Sequence, residues 1–336
     1  MDRKMEKIRF GVVGTNFISD WVIEGGREDP RFELAAVCSR TEETGRTFAE
    51  KHNIPHIFTS LEEMADSPLI DAIYIASPNV FHAQQSMLCM QHGKHVLCEK
   101  AFASNAHEAR QMIETARRHN VVLMEAMKPT LTPAFLAIRE RLKEIGVVRR
   151  YFSCYCQYSS RYDKFKEGIV LNAFMPELSN GATLDIGVYT IYPMVVLFGR
   201  PKEMQVTGIR LSSGVDGQAA VHFVYEGGMT GTVLYGKIAD STLPTEIQGE
   251  NGTIKTDRIN IIGEVELIRR KGTKENIRPE TNRHEYYYEV AEFINIILSG
   301  KKESEINTLN NSLITMEILD EIRSRLGVRF PADERC

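Results

Sequence analysis

The chain of 336 residues lacks a Cys-x-x-Cys pair, a block of basic charge and an acidic tail. Its six cysteines are scattered, and His, Cys, Asp and Glu show no metal-ligand spacing, so no metal site is expected. A net charge of −4 without a basic patch argues against nucleic acid or an anionic membrane as a partner. Cys154 and Cys156 are predicted to share one face of a strand as buried, reduced thiols.

Long apolar runs are also missing, and none is judged long enough to span a bilayer. Residues 1–7 are charged and lead into a short strand without the apolar core of a signal peptide. We therefore expect a soluble, cytoplasmic protein. The length suggests two domains, and 43% hydrophobic residues are enough to build a sizeable core.

The first half of the chain alternates between short apolar runs and segments with helical spacing. The pattern predicts strands at residues 8–14, 32–39, 71–77, 95–100 and 121–126, with helices at 18–28, 41–52 and 79–92. Ser60 and Glu63 form a capping box, and Ser104 is predicted to cap a helix that ends near Asn120. Alternating strands and helices indicate a doubly wound parallel sheet. Residues 1–126 are therefore predicted to form a Rossmann nucleotide-binding domain.

The second half changes character after Met127. A helix at 134–143 precedes long alternating runs at residues 149–158, 204–211, 218–225 and 229–238, with hairpin signals at 226–228 and 251–252 and closing helices at 284–298 and 309–326. Residues 127–336 are therefore predicted to form a substrate-binding α+β domain with a large, mostly antiparallel open sheet. The uncovered face of such a sheet predicts a homodimer or a dimer of dimers.

The loop after the first strand is the candidate pyrophosphate site. It reads Gly14-Thr15-Asn16-Phe17-Ile18-Ser19, and only the first glycine of Gly-x-Gly-x-x-Gly is present. Asn16 tolerates positive φ better than most residues, and Ser19 is small enough for close helix packing. The alternative is an ordinary strand-to-helix turn. Residues 14–18 are predicted to contact the cofactor.

The end of the second strand distinguishes between the two nicotinamide cofactors. NAD-binding proteins usually carry an acidic residue there, whereas NADP-binding proteins place an arginine nearby. Ser39 and Arg40 occupy this position, while Glu42 and Glu43 are expected in the next helix. Arg40 as a solvated helix-start residue is the alternative. We predict NADP(H) rather than NAD(H).

The strand at residues 95–100 ends on two opposite charges, Glu99 and Lys100. The carboxyl end of a parallel strand lies where open α/β sheets bind their ligands. These residues are therefore candidates for contact with cofactor and substrate. The alternative is a surface ion pair that closes an ordinary strand.

Four segments together resemble the Gfo/Idh/MocA oxidoreductases, and most of all the branch of dihydrodiol-dehydrogenase type. They are Gly-Val-Val-Gly at 11–14, Ala-Ser-Pro-Asn at 76–79 with His82, residues 93–100, and Leu-Asp-Ile-Gly-Val-Tyr at 184–189. The resemblance implies that Lys100 is catalytic and contacts substrate oxygen and nicotinamide ribose, and that Asp185 faces the substrate. It also implies cofactor contacts for Ser77, Pro78, Asn79, His82, Glu99 and Lys100. The alternative for His82 is a first-turn helix residue that faces solvent.

Two positions depart from the family pattern. Ala101 replaces the proline of Glu-Lys-Pro, and Tyr189 stands where many members carry a catalytic histidine. Hydride transfer at a carbon bearing oxygen requires a proton to move on that oxygen. A tyrosine has a pKa of about 10, which a nearby lysine lowers, so Tyr189 with Lys100 can act as acid/base. The alternative is that Tyr189 is a core aromatic of an apolar helix.

The resemblance alone implies the substrate pocket, since Lys128, Arg161 and Asn172 lie in segments that border it in the family. The alternative for Lys128 and Arg161 is a solvated surface. Lys128 and Thr130 replace Trp and Arg of the dihydrodiol branch, so a sugar or polyol is as plausible a substrate as a diol. We predict an NADP(H)-preferring dehydrogenase or reductase acting on CH–OH groups. The alternatives are an NAD-dependent sugar enzyme and a non-catalytic nucleotide-binding regulator, the latter supported by Asn16 and Ala101.

Overall fold

The computed structural model describes residues 5–335, which divide into two compact units. The first unit comprises the chain up to residue 128 together with residues 282–309. The second comprises residues 129–281 and the chain from residue 310. Residues 282–309 thus belong to the first unit, although the sequence analysis groups them with the second half. As a division of function, the boundary between 126 and 127 stays a prediction.

A six-stranded parallel sheet forms the centre of the first unit. Its strands are β1 (Ile8–Val13), β2 (Phe32–Cys38), β3 (His56–Phe58), β4 (Ala72–Ile75), β5 (His95–Glu99) and β6 (Leu123–Ala126), in the order β3-β2-β1-β4-β5-β6. This order confirms the predicted doubly wound Rossmann sheet. β3 was not predicted from the sequence, because three residues are too few to show a period.

Helices follow these strands as predicted, with small shifts at their ends. They are α1 (Phe17–Gly26), α2 (Glu42–His52), α3 (Leu61–Asp66), α4 (Asn79–Gln91) and α5 (Ala106–His119). The Ser60 side chain accepts a hydrogen bond from the Glu63 N–H, which confirms that cap. The predicted cap at Ser104 is wrong. Asn105 caps α5 by accepting from the Glu108 N–H at 2.9 Å. Ser104 lies one residue earlier, and its main-chain N–H donates to the Glu108 carboxylate.

The second unit is built around an eight-stranded sheet. Its elements are α6 (Pro133–Arg141), β7 (Val148–Cys156), α7 (Tyr162–Lys166), α8 (Val188–Phe198), β8 (Glu203–Arg210), β9 (Asp216–Val224), β10 (Thr230–Gly236), β11 (Thr245–Gly249), β12 (Gly252–Thr256), β13 (Val265–Arg269) and β14 (Lys274–Asn276). The order is β14-β13-β12-β11-β7-β10-β9-β8, and only the β7–β10 pairing is parallel. The predicted mostly antiparallel sheet is confirmed.

Two further helices lie near the end of the chain. The first, α9 (Tyr287–Leu298), belongs to the first unit and packs on α1, where a side chain at Gly25 would meet the main chain at Tyr286. The second, α10 (Leu309–Leu326), ends before Gly327, whose φ is +69°. A positive φ is strained for other residues, so glycine suits this helix end.

The segment Pro176–Phe198 corrects the expectation that no apolar run could span a bilayer. By length and composition alone it passes that test, with a mean hydropathy of 1.4. Within the described chain, however, 72% of its apolar window is buried. Its apolar side chains therefore form part of the core of the second unit. Within this core, the Tyr151 hydroxyl of β7 donates to the Thr190 carbonyl of α8.

Candidate functional site

The turn between β1 and α1 requires glycine at its first position. Gly14 has a φ of +102°, and a Cβ there would lie 2.8 Å from the Ala76 carbonyl oxygen. A side chain would therefore be strained and would collide with the end of β4. The turn leads directly into the N-terminus of α1, which presents main-chain N–H groups. A glycine that admits close approach before such a helix end fits a pyrophosphate.

Asn16 acts differently from the sequence-based expectation. Its φ is −93°, so the left-handed tolerance of asparagine is not used. Instead its side chain caps α1 by accepting from the Ile18 N–H, and its amide donates to the Ala76 carbonyl, both at 2.8 Å. Ser19 is buried and donates to the Gly14 carbonyl at 2.8 Å. The two departures from the glycine motif therefore build the loop rather than disrupt it.

The tip of β2 carries no acidic side chain. Ser39 is nearly buried and its hydroxyl shares a hydrogen bond with that of Thr44, whereas Arg40 is exposed. Glu42 and Glu43 lie in the first turn of α2, as expected. An exposed guanidinium without a neighbouring acid at this tip fits a phosphate better than a ribose hydroxyl pair.

His82 is buried, so the solvent-facing interpretation is wrong. Its ring nitrogens lie 2.8 Å from the Ser77 carbonyl oxygen and 2.9 Å from that of Ala101. Only a protonated imidazole donates to both carbonyls, but burial lowers the pKa of His82 and favours the neutral ring, which donates once. His82 thus ties the loop before α4 to the loop after β5. Pro78 is exposed and Asn79 begins α4.

Glu99 is almost buried at the carboxyl end of β5. It accepts a 2.6 Å hydrogen bond from the Tyr74 hydroxyl and a 3.3 Å bond from the Lys100 N–H. Burial raises the pKa of Glu99, against the lowering effect of the Tyr74 bond. The surface ion pair considered above therefore does not describe Glu99. Lys100 is half-buried, and the peptide bond to Ala101 is cis.

Lys128 lies in a buried charge cluster of the first unit rather than on a solvated surface. Its ammonium is 2.6 Å from a carboxylate oxygen of Glu285 and 4.4 Å from the ring centre of Tyr286. Glu289 is fully buried nearby, and burial together with the charge of Glu99 raises its pKa well above the usual value. Lys128 is thus satisfied by protein groups, and its assignment to substrate stays a prediction.

In the second unit, Asp185 and Tyr189 lie together on one helical face. A π-helical turn, Thr183–Gly187, leads directly into α8. Within residues 181–190 every side chain is buried except those of Asp185 and Tyr189, which are half-buried. The expectation that four-residue spacing places them on one face agrees with this pattern. The ring of Tyr189 packs edge-on against that of Tyr155, with centroids 5.8 Å apart.

Lys237, just beyond β10, is a site residue that was not predicted from the sequence. Its ammonium donates to the Asp185 carboxylate at 2.6 Å and to the Ala173 carbonyl at 3.0 Å, and it lies 5.1 Å from the ring centre of Phe174. Its side chain is only 3% exposed, whereas that of Asp185 is 34% exposed. The ion pair therefore fixes the carboxylate while leaving part of it accessible. The sequence signal that could have identified Lys237 is a lysine inside the alternating run at residues 229–238.

Two other predicted substrate residues lie on the surface of the second unit. Arg161 and Asn172 are both exposed. Close by in sequence, Tyr162, Phe165 and Phe174 form a ring cluster with centroid separations of 5.2–5.9 Å. Within residues 5–335, no group of three or more His, Cys, Asp or Glu side chains is placed to hold a metal ion.

Family models match both halves of the chain. The N-terminal model, an oxidoreductase family with an NAD-binding Rossmann fold, matches residues 8–127. The GFO/IDH/MocA C-terminal domain model matches residues 135–255. The chain belongs to the GFO/IDH/MocA family of oxidoreductases.

Relatives in this family cover almost the whole chain. A scyllo-inositol 2-dehydrogenase (NADP(+)), IolU of Bacillus subtilis, is 50% identical over 97% of this chain and 99% of its own length. An uncharacterised oxidoreductase of Escherichia coli, YgjR, is 40% identical over 97% and 98%. The trans-1,2-dihydrobenzene-1,2-diol dehydrogenase of Xenopus tropicalis is 32% identical over 89% and 91%.

Solved structures share the fold at lower identity. A levoglucosan dehydrogenase in complex with NADH and levoglucosan has a TM-score of 0.83 at 17% identity, covering 95% of this chain and 97% of that one. A 3-ketoreductase from Actinomadura kijaniata in complex with NADP and TDP-benzene has a TM-score of 0.81 at 22% identity, covering 97% and 99%. These likenesses confirm the fold of both units.

Proposed function

We propose that this oxidoreductase prefers NADP(H) and transfers a hydride between nicotinamide and a carbinol or carbonyl carbon of a small polyol, sugar or diol. The observation that carries the chemistry is the pair of accessible side chains, Asp185 and Tyr189, on an otherwise buried helical segment. The 50% identical relative named for scyllo-inositol and NADP(+) supports a cyclic polyol as the first substrate to test. The exposed Arg40, without an acidic residue at the tip of β2, supports NADP(H).

Tyr189, Lys100 and Asp185 have separate roles in the proposed reaction. When bound, the cofactor supplies a nicotinamide carbon that accepts or donates the hydride. Tyr189 takes the proton from the substrate hydroxyl during oxidation and returns it during reduction. Lys100 is its electrostatic partner, since an ammonium favours the phenolate form. Asp185, held by Lys237, accepts a hydrogen bond from a substrate hydroxyl and orients it.

In this proposal the first unit binds the cofactor. Gly14 and the N-terminus of α1 hold the pyrophosphate, with Thr15, Phe17 and Ile18 beside it. Arg40 and Ser39 bind the 2′-phosphate of the adenosine ribose. The loop of Ser77, Pro78 and Asn79 contacts the nicotinamide end of the cofactor. His82 holds this loop through the Ser77 carbonyl. Glu99 positions Lys100 by accepting from its main-chain N–H.

Replacing Tyr189 by Phe tests the acid/base assignment. With scyllo-inositol and NADP⁺, Tyr189→Phe should lower kcat by about 10²- to 10⁴-fold, because the proton acceptor is lost while the ring remains. NADPH affinity should not change. Tyr192→Phe is the matched control, since it removes a buried hydroxyl three residues further along α8. Unchanged turnover in Tyr189→Phe would show that another group moves the proton.

Fluorescence titration with NADPH and with NADH tests the cofactor preference. Arg40→Ser removes a charge-assisted contact to the 2′-phosphate, and such a contact contributes about 1.5–3 kcal/mol. We therefore expect this variant to bind NADPH roughly 10- to 100-fold more weakly. NADH binding should change little. Arg46→Ser is the control, because Arg46 is exposed on α2 and pairs with Glu42. A preference for NADH in the unaltered protein would remove Arg40 as a phosphate ligand. Binding of neither nucleotide would favour a regulator on the same fold.

A further inference from the structure

The π-helical turn Thr183–Gly187, which presents Asp185, is anchored to the sheet by a buried carboxyl group. Asp216 is the first residue of β9 and is fully buried. Its Oδ2 atom accepts a hydrogen bond from the Thr183 N–H at 2.8 Å and another from the Thr183 hydroxyl at 2.7 Å. The two residues are 33 positions apart in the chain. Asp216 therefore ties the start of the turn to a different element.

The Thr183 N–H belongs to the open end of a helical segment. The first N–H groups of a helix have no partner within it, and the side chain of Ala182, the residue before this turn, does not cap it. The Asp216 carboxyl group takes the role that a capping side chain usually has. Because this cap comes from β9, it fixes the position of the turn as well as closing its first N–H group.

Tyr235 of β10 contacts the same turn at both ends. The Thr183 hydroxyl donates its only proton to Asp216, so the Tyr235 hydroxyl donates to the Thr183 oxygen at 2.8 Å. At the other end, a Cβ at Gly187 would lie 3.0 Å from the Tyr235 ring, so glycine allows the ring to lie against the turn. Asp185 lies between these two contacts.

Glycine at position 181 makes room for the Asp216 carboxyl group. Gly181 has a φ of +141°, and a Cβ there would lie 2.5 Å from Asp216 Oδ1. The Gly181 carbonyl also accepts from the Asp185 N–H at 3.2 Å, at the start of the helical segment. A side chain at this position would displace either the carboxyl group or the turn.

The width of the turn makes the direction of Asp185 depend on this anchor. The Val188 N–H donates to the Thr183 carbonyl five residues back, whereas an α-helix bonds four residues back. A return to α-helical bonding would rotate the segments before and after the turn relative to each other, by about 100° for one residue. Asp216 holds Thr183, whose carbonyl closes the wide turn, and so opposes this rotation.

We propose that Asp216 is a positioning residue, which fixes the π-helical turn so that the Asp185 carboxylate faces the substrate hydroxyl. Asp216 is fully buried and does not itself touch the substrate. Lys237 holds the carboxylate of Asp185, while Asp216 holds the main chain from which that side chain extends. The orientation of Asp185 toward substrate rests on the proposed function, whereas the anchoring of the turn does not.

An acceptor oxygen at position 216 is sufficient for this role. Burial raises the pKa of Asp216, while the bonds from Thr183 and the charge of Lys237 lower it. Oδ2 can accept whether or not the other oxygen carries a proton. We therefore expect Asp216→Asn to keep both bonds to Thr183 and Asp216→Ala to lose both.

Hydrogen exchange followed by mass spectrometry tests the anchoring without an activity assay. In Asp216→Ala, peptides that cover the π-helical turn and the start of α8 should take up deuterium faster, because the Thr183 N–H has lost its acceptor. Peptides from α6, in the same unit, should not change, and Asp216→Asn should behave like the unaltered protein. Unchanged exchange at the turn in Asp216→Ala, or an acceleration spread over the whole unit, would overturn the proposal.

Steady-state kinetics with scyllo-inositol and NADP⁺ test the orientation of Asp185. Asp216→Ala should raise KM by roughly 10-fold and lower kcat less, because a misdirected carboxylate binds the substrate hydroxyl poorly. Asp216→Asn should recover most of the loss. In the Asp185→Ala background, Asp216→Ala should change KM little, since no carboxylate remains to be directed. An equal rise of KM in both backgrounds would show that Asp216 acts on stability alone.

A milder variant covers the case in which Asp216→Ala does not fold. Thr183→Val removes the hydroxyl bond but keeps the main-chain bond to Asp216, so it should still raise KM and speed exchange at the turn. Thr245→Val is the matched control, since it removes a buried threonine hydroxyl that is paired with Ser153 of β7. It should leave both measurements unchanged. Equal effects of the two threonine variants would contradict the role of Asp216.

Failure of the proposed function would give a different result. If Asp185→Ala leaves KM unchanged for every polyol tested, Asp185 does not bind the substrate, and its orientation by Asp216 is overturned together with the proposed role of Asp185. The exchange measurement would still decide whether Asp216 fixes the π-helical turn.

Discussion

At the scale of single residues, the Lys237–Asp185 pair shows an asymmetry that decides what each side chain contributes. The ammonium is 3% exposed and the carboxylate 34% exposed. Removing Asp185 leaves the buried Lys237 ammonium without an ionic partner, whereas removing Lys237 leaves a carboxylate that water can reach. Loss of one partner from a buried ion pair typically costs about 3–5 kcal/mol. We therefore expect Asp185→Ala to lower the free energy of unfolding more than Lys237→Met.

Urea denaturation of both variants measures this difference. The double variant should be more stable than Asp185→Ala alone, because it no longer contains an unpaired buried ammonium. Equal losses in the two single variants would contradict the asymmetry. In the activity assay, Lys237→Met should raise KM for the polyol more than it lowers kcat, since Lys237 positions Asp185 and does not move the proton.

At the scale of elements, the hydrophobic period was sufficient to predict the long helices and strands. It did not predict their exact ends or the shortest strands. The predicted helix at 309–326 coincides with α10. β3 and β14 have three residues each and carry no periodic signal. Cap residues depend on which side chain reaches which N–H, so sequence reasoning chose Ser104 although Asn105 caps α5.

The cap of α5 gives a prediction at this scale. Asn105→Ala should lower the free energy of unfolding by about 1 kcal/mol, because the Glu108 N–H loses its acceptor. Asn105→Ser keeps an acceptor and should recover most of the loss. Thermal denaturation of the three proteins measures the effect. A Ser variant as unstable as the Ala variant would show that the asparagine contributes by packing rather than by capping.

At the scale of the whole molecule, the buried carboxyl group of Glu289 makes stability depend on pH. Burial raises its pKa in the folded chain well above the value in the unfolded chain, and the charges of Glu99 and Glu285 act in the same direction, against Lys128. Such a group contributes stability that is complete below its unfolded pKa and is lost as pH rises through its folded pKa. We expect the Tm to fall as the pH rises above the ordinary glutamate pKa of about 4.3.

Glu289→Gln tests this pH dependence, because glutamine resembles the protonated acid in shape. The Tm of this variant should fall less over the same range than that of the unaltered protein. Glu62→Gln, at an exposed position of α3, should leave the dependence unchanged. Parallel curves for all three proteins would show that Glu289 does not titrate in this range.

Assembly is the second prediction for the whole molecule. The outer face of β7, β10 and β8 carries Phe152, Leu234 and Ile209, the last of them 47% exposed. A second copy of this chain would cover these apolar side chains. Light scattering should therefore give two or four times the chain mass of 38.1 kDa. A monomer at every concentration tested would contradict a dimer through this sheet.

The sequence by itself determined the alternation of strands and helices, the change to an antiparallel sheet, the family and the absence of an acid at the tip of β2. These properties follow from local periodicity and from residues close together in the chain. Only the tertiary structure decided that Lys237 holds Asp185 across 52 positions and that His82 reaches the Ala101 carbonyl across 19. It also decided that Lys128 is buried with Glu285. Such pairings depend on which segments pack together, and no local pattern encodes that.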